Sequence, residues 1–210
     1  MRRFAITPAL IMCFATVLAA DTPEGFTPLF NGKDLSGWKA TGKMDVWGAE
    51  NGVIFVSGGG GGWLLTEKEY GDYELRLEYK LPKMGNSGVA LRTPLQGDPA
   101  YVGMEIQLID DVNWKGLQTW QQTGSIYNVV PAKQIKNKEI GEWNVMRIVA
   151  KGRHIRVENN GAALVDADLA DYEKEHAKRH PGILREKGHI GFQSYNFRVE
   201  FRNINIKELK

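Results

Sequence analysis

The sequence predicts an all-β fold, a sandwich or jelly roll of antiparallel sheets, and three observations carry this prediction. Short runs of alternating apolar and polar residues recur along the chain. Turn dipeptides such as Asn51-Gly52 and Asn160-Gly161 separate these runs. Helical periodicity is confined to residues 168–180, which we expect to form one short helical insertion between strands. Many short strands with glycine-containing turns and little helix are typical of β-sandwiches.

The amino-terminal residues predict the compartment. Arg2 and Arg3 precede an apolar run over 4–18 that ends in Ala19-Ala20, which is the pattern of an export signal. The run is shorter than the roughly 20 residues that a membrane-spanning helix needs. We therefore expect a signal peptide over 1–20, a single domain over 21–210, and a secreted or periplasmic mature protein that is not held in a membrane.

Charge and cysteine content exclude several classes of partner. The chain has 27 basic and 25 acidic residues, and loss of Arg2 and Arg3 with the signal leaves 27 − 2 = 25 basic residues, so the mature chain is formally neutral. A neutral chain has no net electrostatic attraction for nucleic acid or for anionic lipid. The one cysteine, Cys13, belongs to the predicted signal, so we expect neither disulfides nor thiolate metal sites.

The longest alternating run covers residues 72–81. Tyr73, Leu75 and Leu77 fall on one side of the predicted strand and charged residues on the other, which indicates a half-buried strand with one solvated face. Similar runs predict strands over 53–56, 63–66, 89–92, 143–150, 155–158, 188–194 and 197–206.

The run of five glycines and three of the four histidines are interpreted as features without a catalytic role. The five glycines over 58–62 continue into a strand-like run instead of a helix, so we interpret them as a hairpin connection or a loop at a groove mouth, not as a phosphate loop. His154, His176 and His180 fall on a hairpin and on the helical insertion, where we expect them to be exposed.

The run over 103–111, GMEIQLIDD, is the best candidate for a ligand-binding strand. Glu105 and Gln107 are two residues apart and therefore share one face, while Met104, Ile106 and Leu108 share the other. A strand with a carboxylate and an amide on one face can form the floor of a polar groove. Such a groove suits a sugar-like ligand.

Six blocks together resemble a known family. Residues 29–38 read LFNGKDLSGW, 86–92 read NSGVALR, 103–111 read GMEIQLIDD, 123–128 read TGSIYN, 141–144 read GEWN and 199–206 read VEFRNINI. In this order they resemble the 3-keto-disaccharide hydrolase domain, a concanavalin-like jelly roll of two antiparallel sheets. The resemblance covers nearly all of the mature chain.

The resemblance implies cleavage of a glycoside whose sugar carries a ketone at carbon 3. The ketone acidifies the C2 proton, so that a base can remove it and the C1 substituent can leave by elimination before water adds. This chemistry needs a base, a positive group or a metal at the enolate oxygen, and an acid for the leaving oxygen. Ordinary glycosidases use two carboxylates that flank the scissile bond instead.

Three residues are candidates for these catalytic roles. Glu105 is our candidate for the base, and the alternative is a structural ion pair with a basic residue of the next strand. Arg92 shares strand parity with Gly88 and Ala90, so its guanidinium is expected to face the same groove and contact an enolate or sugar oxygen. Tyr127 is a candidate acid or hydrogen-bond donor.

Further residues are candidates for substrate binding or for a cation. Gln107 is expected to bind sugar hydroxyls or to hold the sheet, and Asn86 to contact the ligand or to shape the turn before its strand. Trp120 is expected to form a groove wall or to pack internally. Asp110, at the end of the glutamate strand, is a candidate ligand for a divalent cation such as calcium, and a solvated acidic turn is the alternative.

The predicted strand over 188–194 departs from the family pattern at one position. Where relatives often read Leu-Gln-x-His-Gly, this chain has FQSYN over 192–196, so Gln193 is kept and Tyr195 stands in the histidine position. Both residues are candidate substrate contacts. Two functions therefore remain open, an exported enzyme that cleaves 3-keto-glycosides and a lectin-like carbohydrate-binding module without catalysis. In either case the partner is a small carbohydrate.

Overall fold

The structure is a computed structural model that describes residues 22–134 and 137–210. The predicted signal peptide over 1–20 lies outside the described residues. The rest of the chain is mostly strand, arranged as two antiparallel sheets packed face to face, and this confirms the predicted all-β sandwich. The described strands are β1 Thr27–Pro28, β2 Trp38–Ala40, β3 Trp47–Glu50, β4 Val53–Val56, β5 Trp63–Thr66, β6 Tyr73–Lys80, β7 Asn86–Thr93, β8 Met104–Ile109, β9 Asn144–Lys151, β10 His154–Asn159, β11 Ala162–Asp168, β12 His189–Gln193 and β13 Val199–Glu208.

The larger sheet has the strand order β11-β10-β9-β6-β13-β4-β3, and β1 pairs with β13 beside this path. Strand β6 is buried at every second residue, as its alternation predicts. Its apolar side chains enter the core, whereas its charged face joins a solvated ladder of ion pairs in which Glu74 binds Arg76 and Arg147. The solvated face of this sheet is therefore a paired, stabilising surface.

The smaller sheet has the strand order β2-β5-β12-β7-β8. One face of β8 sends Met104, Ile106 and Leu108 into the main core between the sheets. The opposite face carries a second, smaller apolar cluster, formed by Trp63, Leu65, Ala90 and Ala100 with Tyr127 packed against it. This second face, which points away from the sandwich core, carries the candidate site.

The predicted helix over 168–180 is shorter and more irregular than expected. A 3-10 turn, Leu169–Tyr172, leads into the single turn of α2, Glu173–His176, and a second 3-10 turn follows at Pro181–Leu184. One further short helix, α1, spans Pro99–Val102. Among the described residues, no helix has both the length and the apolar character needed to span a membrane.

The glycine run over 58–62 packs against the loop that joins β12 to β13. Gly59 donates a backbone hydrogen bond to the Asn196 carbonyl oxygen at 2.9 Å. A Cβ on Gly58 would lie 1.6 Å from the same oxygen, so a side chain cannot be placed there without moving the backbone. The run thus braces the segment that presents Tyr195.

Candidate active site

A groove of about 270 Å³ lies on the outer face of the smaller sheet. Glu105 of β8, which lines the groove, pairs with Ala90 of β7, and Ala90 pairs with Gly191 of β12. The strands that carry the groove therefore have small residues next to this carboxylate. The lining consists of amides, aromatic rings, two carboxylates and a few apolar groups, namely Asn86, Asp98, Ala100, Tyr101, Glu105, Gln107, Ile109, Trp114, Leu117, Gln121, Tyr127, Gln193 and Tyr195.

Glu105 lies at the floor of this groove and is only 2% exposed. Its Oε1 atom has no hydrogen-bond partner. None of the ion pairs found among the described residues includes Glu105, so the structure does not support the alternative of a structural ion pair. Burial, together with the negative charge of Asp98, raises the pKa of this carboxyl well above its ordinary value of 4.5. An unpartnered buried carboxylate at a groove floor is unusual and is typical of a functional group.

Gln107 lies on the same face of β8 and also lines the groove. Its Oε1 accepts a hydrogen bond from the Leu108 backbone amide at 3.0 Å. The carbonyl end of this side chain is therefore held by the backbone, so the other end of the amide supplies N–H donors for a ligand.

Tyr127 is placed beside Glu105 by the segment over 123–128, which returns along β8. The backbone amide of Tyr127 donates to the Glu105 carbonyl oxygen at 2.8 Å, and Gly124 and Gln107 are linked in the same way. Burial and the nearby Tyr101 hydroxyl raise the pKa of Tyr127 to about 12. Tyr127 is therefore protonated near neutral pH and is suited to donate a proton or a hydrogen bond.

Three further residues of the site were not predicted from the sequence. Asp98 and Tyr101 line the groove from the N-cap and the single turn of α1. Behind them, the ring of His180 stacks on Tyr101 with centroids 4.9 Å apart, and its Nε2 lies 2.9 Å from Nδ2 of Asn128. The expectation that His180 is exposed is wrong, because the insertion folds back onto α1 and leaves this ring 1% exposed.

The rim of the groove holds the amide and aromatic candidates. Asn86, Gln193 and Tyr195 all line it, and the Oδ1 atom of Asn86 is buried without a partner. Tyr195 is half exposed. Trp120 is not among the lining residues and meets the site through Tyr127, against which it packs edge-on at 5.2 Å. Trp120 is half-buried, so it neither forms a groove wall nor packs in the core, and it supports Tyr127 from behind.

The structure corrects the expected position of Arg92. The alternation of β7 breaks there, because Arg92 has a positive φ of 48° and the pairing with β12 shifts register beside it. The side chain is buried away from the groove and donates to the backbone oxygens of Gly71, Gly152 and Arg185 and to the carboxylate of Asp72. Arg92 therefore does not converge with Glu105, and we assign it a structural role.

The structure also corrects the expected role of Asp110. Its carboxylate accepts hydrogen bonds from the backbone amides of Met84, Val112 and Asn113 and from the Asn113 side chain. It is thus occupied in holding a turn and does not line the groove. Within residues 22–134 and 137–210, no group of three or more His, Cys, Asp and Glu side chains is arranged to hold a metal ion. These donors do not fit a calcium site.

A second cavity, of about 200 Å³, lies near the carboxyl end of β8. Its polar groups are already bound to one another. Asp111 accepts from Asn137 at 2.6 Å, Asn137 accepts from Asn159 at 2.7 Å, and Asn159 accepts from Tyr79 at 3.3 Å. Since the groove instead presents unpartnered acceptors, we place the functional site in the groove.

Fold and groove together define the class of protein, a concanavalin-like β-sandwich with a carbohydrate-type groove on one sheet. The chain belongs to the 3-keto-disaccharide hydrolase family, because the family's sequence model, described as a 3-keto-alpha-glucoside-1,2-lyase-like domain, matches residues 25–207. Membership in this family makes it a carbohydrate-active protein.

Individual relatives agree with this assignment. The chain is 29% identical to a 3-keto-disaccharide hydrolase of Bacteroides thetaiotaomicron over 89% of this chain and 79% of that protein. It is also similar to the crystal structure of a candidate glycosyl hydrolase of Parabacteroides distasonis, with 30% identity and a TM-score of 0.77 over 89% of this chain and 95% of that one. A carbohydrate-binding module of Bacillus subtilis shares the fold alone, at 13% identity and a TM-score of 0.52 over 85% of this chain and 98% of the module.

Proposed function

We propose that this chain is an exported enzyme that cleaves the glycosidic bond of 3-keto-glycosides by elimination. The observation that carries the proposal is the carboxylate of Glu105, buried and unpartnered at the floor of a polar groove. The 3-keto-disaccharide hydrolase named among the relatives supports this class of substrate. The export signal predicted over 1–20 supports a secreted or periplasmic location.

In the proposed reaction, Glu105 accepts the proton from C2 of the sugar. The electron pair of the broken C–H bond forms an enolate, whose charge rests on the C3 oxygen. Collapse of the enolate restores the C3 ketone, forms a double bond between C1 and C2 and expels the C1 oxygen, which takes a proton from the Tyr127 hydroxyl. Water then adds across the double bond, with its hydroxyl at C1 and a proton at C2.

The groove offers neutral donors for the enolate oxygen. The amides of Gln107 and Gln193 line it and replace the guanidinium that the sequence predicted. Such donors stabilise a developing oxyanion when they are held in place before the reaction. The carboxylate of Asp110 accepts four hydrogen bonds and lies outside the groove, so it does not supply a metal ligand beside the enolate oxygen.

The proposed reaction can be tested with the purified protein and p-nitrophenyl 3-keto-glucoside in D₂O. Elimination followed by hydration predicts release of nitrophenol together with deuterium at C2 of the sugar product. The parent glucoside, which lacks the ketone, should not be cleaved. Release without deuterium at C2, together with an unchanged rate when C2 of the substrate carries deuterium, would contradict the elimination mechanism; the second measurement is needed because Glu105 can return the same proton to C2.

Matched variants assign the base. Glu105→Gln should reduce the rate by at least about 10²-fold, which is within the range for loss of a positioned general base. Glu67→Gln changes an exposed glutamate outside the groove and should retain full activity. Equal activity of the Glu105→Gln variant and the wild type would exclude Glu105 as the base.

The alternative function is a lectin-like binding module without catalysis. Two observations favour it, the absence of the predicted guanidinium from the groove and Tyr195 in the position where relatives often hold a histidine. Under this alternative the protein would bind the 3-keto-glucoside, release no nitrophenol, and bind equally well as Glu105→Gln.

A further inference from the structure

Among residues 22–134 and 137–210, the lining of the groove has two carboxylates and no cationic side chain. Glu105 and Asp98 line it, and the other lining residues are amides, tyrosines, a tryptophan and apolar residues. Sites that recognise acidic ligands usually present arginine or lysine, because a ligand carboxylate, phosphate or sulfate needs positive partners. The charge of this groove is therefore opposite to that of an acid-binding site.

The cations of neighbouring segments are held elsewhere. The guanidinium of Arg92 donates to three backbone oxygens and to Asp72 and is 1% exposed, so it cannot turn toward the groove without breaking these hydrogen bonds. In the loop that contains Trp114, the ammonium of Lys115 donates to the Val112 carbonyl oxygen at 3.1 Å, and Lys115 is not among the residues that line the groove.

Asp98 is fixed at the groove by its local structure. Its Oδ1 accepts a hydrogen bond from the Ala100 backbone amide at 3.1 Å and so caps α1, while the residue as a whole remains solvent-exposed. Asp98 lines the same groove as Glu105 and Tyr127, so its negative charge lies beside the space that a ligand occupies and repels a second negative charge there. The same charge contributes to the raised pKa of Glu105 and of Tyr127.

The unpartnered atoms of the groove show what a ligand must present. Both Oε1 of Glu105 and Oδ1 of Asn86 are acceptors without a donor. Sugar hydroxyls can donate to both, whereas an ionised acid group cannot donate at all.

We propose that the groove accepts uncharged glycosides and rejects acidic ones such as uronides and sugar phosphates, and that Asp98 is the residue that sets this discrimination. The inference depends on the proposed function, since it names the substrate class of the same site. It does not depend on which residue acts as the base.

The test compares two matched substrates, p-nitrophenyl 3-keto-glucoside and the same compound with a carboxylate at C6. The wild type should turn over the neutral compound with a kcat/KM at least about tenfold higher, since like charges placed together in a binding site disfavour one another strongly. The parent methyl glucoside and methyl glucuronide, titrated in a calorimeter, should give the same order of affinities.

The variant Asp98→Asn should reduce the neutral-to-acidic ratio several-fold, because it removes the charge. Asparagine also caps helices well, so α1 should be retained, and circular dichroism checks the fold. Asp166→Asn removes the same charge from β11, on the other sheet, and should leave the ratio unchanged. Higher salt should lower the ratio of kcat/KM for the neutral and the acidic substrate more in the wild type than in Asp98→Asn, because salt screens the charge of Asp98.

The outcomes separate this inference from the proposed function. Equal turnover of both substrates by the wild type would overturn the discrimination and leave the proposed function intact. A ratio that Asp98→Asn does not change, or that Asp166→Asn changes equally, would overturn the role of Asp98. If the protein neither turns over nor binds either sugar, the proposed function and this inference are both overturned.

Discussion

Gly88 and Glu105 share one space on the smaller sheet. A Cβ built on Gly88 would lie 2.0 Å from Oε1 of Glu105 and 2.6 Å from its carboxyl carbon. The missing side chain of one residue thus makes room for the carboxylate of the other. Because this carboxylate is the proposed base, the absence of a side chain at Gly88 allows the base to occupy its position.

Gly88→Ala should displace the Glu105 carboxylate. We expect a loss of activity approaching that of Glu105→Gln, with only a modest loss of stability, because the displaced atoms are the end of a side chain and not backbone. Turnover and thermal unfolding measured on the same variant check this. Gly71→Ala is the matched control, since its Cβ would meet no atom closer than 3.6 Å. Full activity in Gly88→Ala would contradict the proposed geometry.

Glu105 should destabilise the folded protein as pH rises. The pKa of Glu105 is raised in the folded state, so above 4.5 the unfolded chain has released a proton that the folded chain retains, and the stability falls with pH until the folded-state pKa is passed. The stability of Glu105→Gln relative to the wild type should therefore increase as the pH rises from 4 to 8.

Urea unfolding of both proteins from pH 4 to pH 8 measures this difference. It should be smallest at pH 4, where both states of the wild type carry a protonated Glu105. A difference that does not grow with pH would show that the pKa of Glu105 is not raised.

The pH dependence of turnover should report the same group. A base must be deprotonated, so kcat/KM should rise with pH through an apparent pKa clearly above 4.5. Tyr127, with a pKa of about 12, should produce no alkaline decline below about pH 10. An acidic limb at the ordinary glutamate value would argue for a different base.

Tyr127→Phe should affect substrates according to their leaving groups. A methyl 3-keto-glucoside releases a basic alkoxide and needs a proton donor, so its rate should fall by about 10²-fold or more. A p-nitrophenyl compound releases a stable phenolate, and its rate should fall much less. Equal losses for both would show that Tyr127 acts in binding and not as the acid.

Arg92 should contribute to stability without acting in the groove. Arg92→Met leaves the partly buried backbone oxygens of Gly71, Gly152 and Arg185 without their donor, and we expect a loss of roughly 3 kcal/mol. Below the melting transition, sugar affinity should stay at the wild-type value. Arg156→Met, which removes a partly exposed arginine of β10, should change stability far less. If folded Arg92→Met binds the sugar more weakly than the wild type, Arg92 contacts the ligand in the groove, as the sequence predicted.

The fold was predictable where the side-chain pattern is strong. The alternation of β6 and the polar pair in β8 both follow from the two-residue period of a strand, which needs no knowledge of the tertiary structure. Strand β11, which reads AALVDAD, was missed because its small residues carry little alternation. Short strands such as β2 were missed for a similar reason.

The site was less predictable because tertiary contacts assemble it. The position of Arg92 in its strand predicts that its side chain faces the groove. The irregular backbone at that residue turns the side chain away, and no pattern in the neighbouring sequence indicates this irregularity. Asp98, Tyr101 and His180 come from a short helix and from an insertion whose meeting depends on the packed fold. An Asp-Pro pair that begins a helix, as at 98–99, was the one available signal for α1.

Strand β13 lies between β4 and β6 in the middle of the larger sheet and also pairs with β1. The strand nearest the carboxyl end of the described residues is thus the one that joins the amino-terminal strands to the rest of that sheet. Until β13 pairs, β4 has no partner on the side that faces β6, and the two parts of the sheet are not joined. Closure of the sandwich therefore depends on a pairing between residues that are far apart in the sequence, and such pairings form slowly.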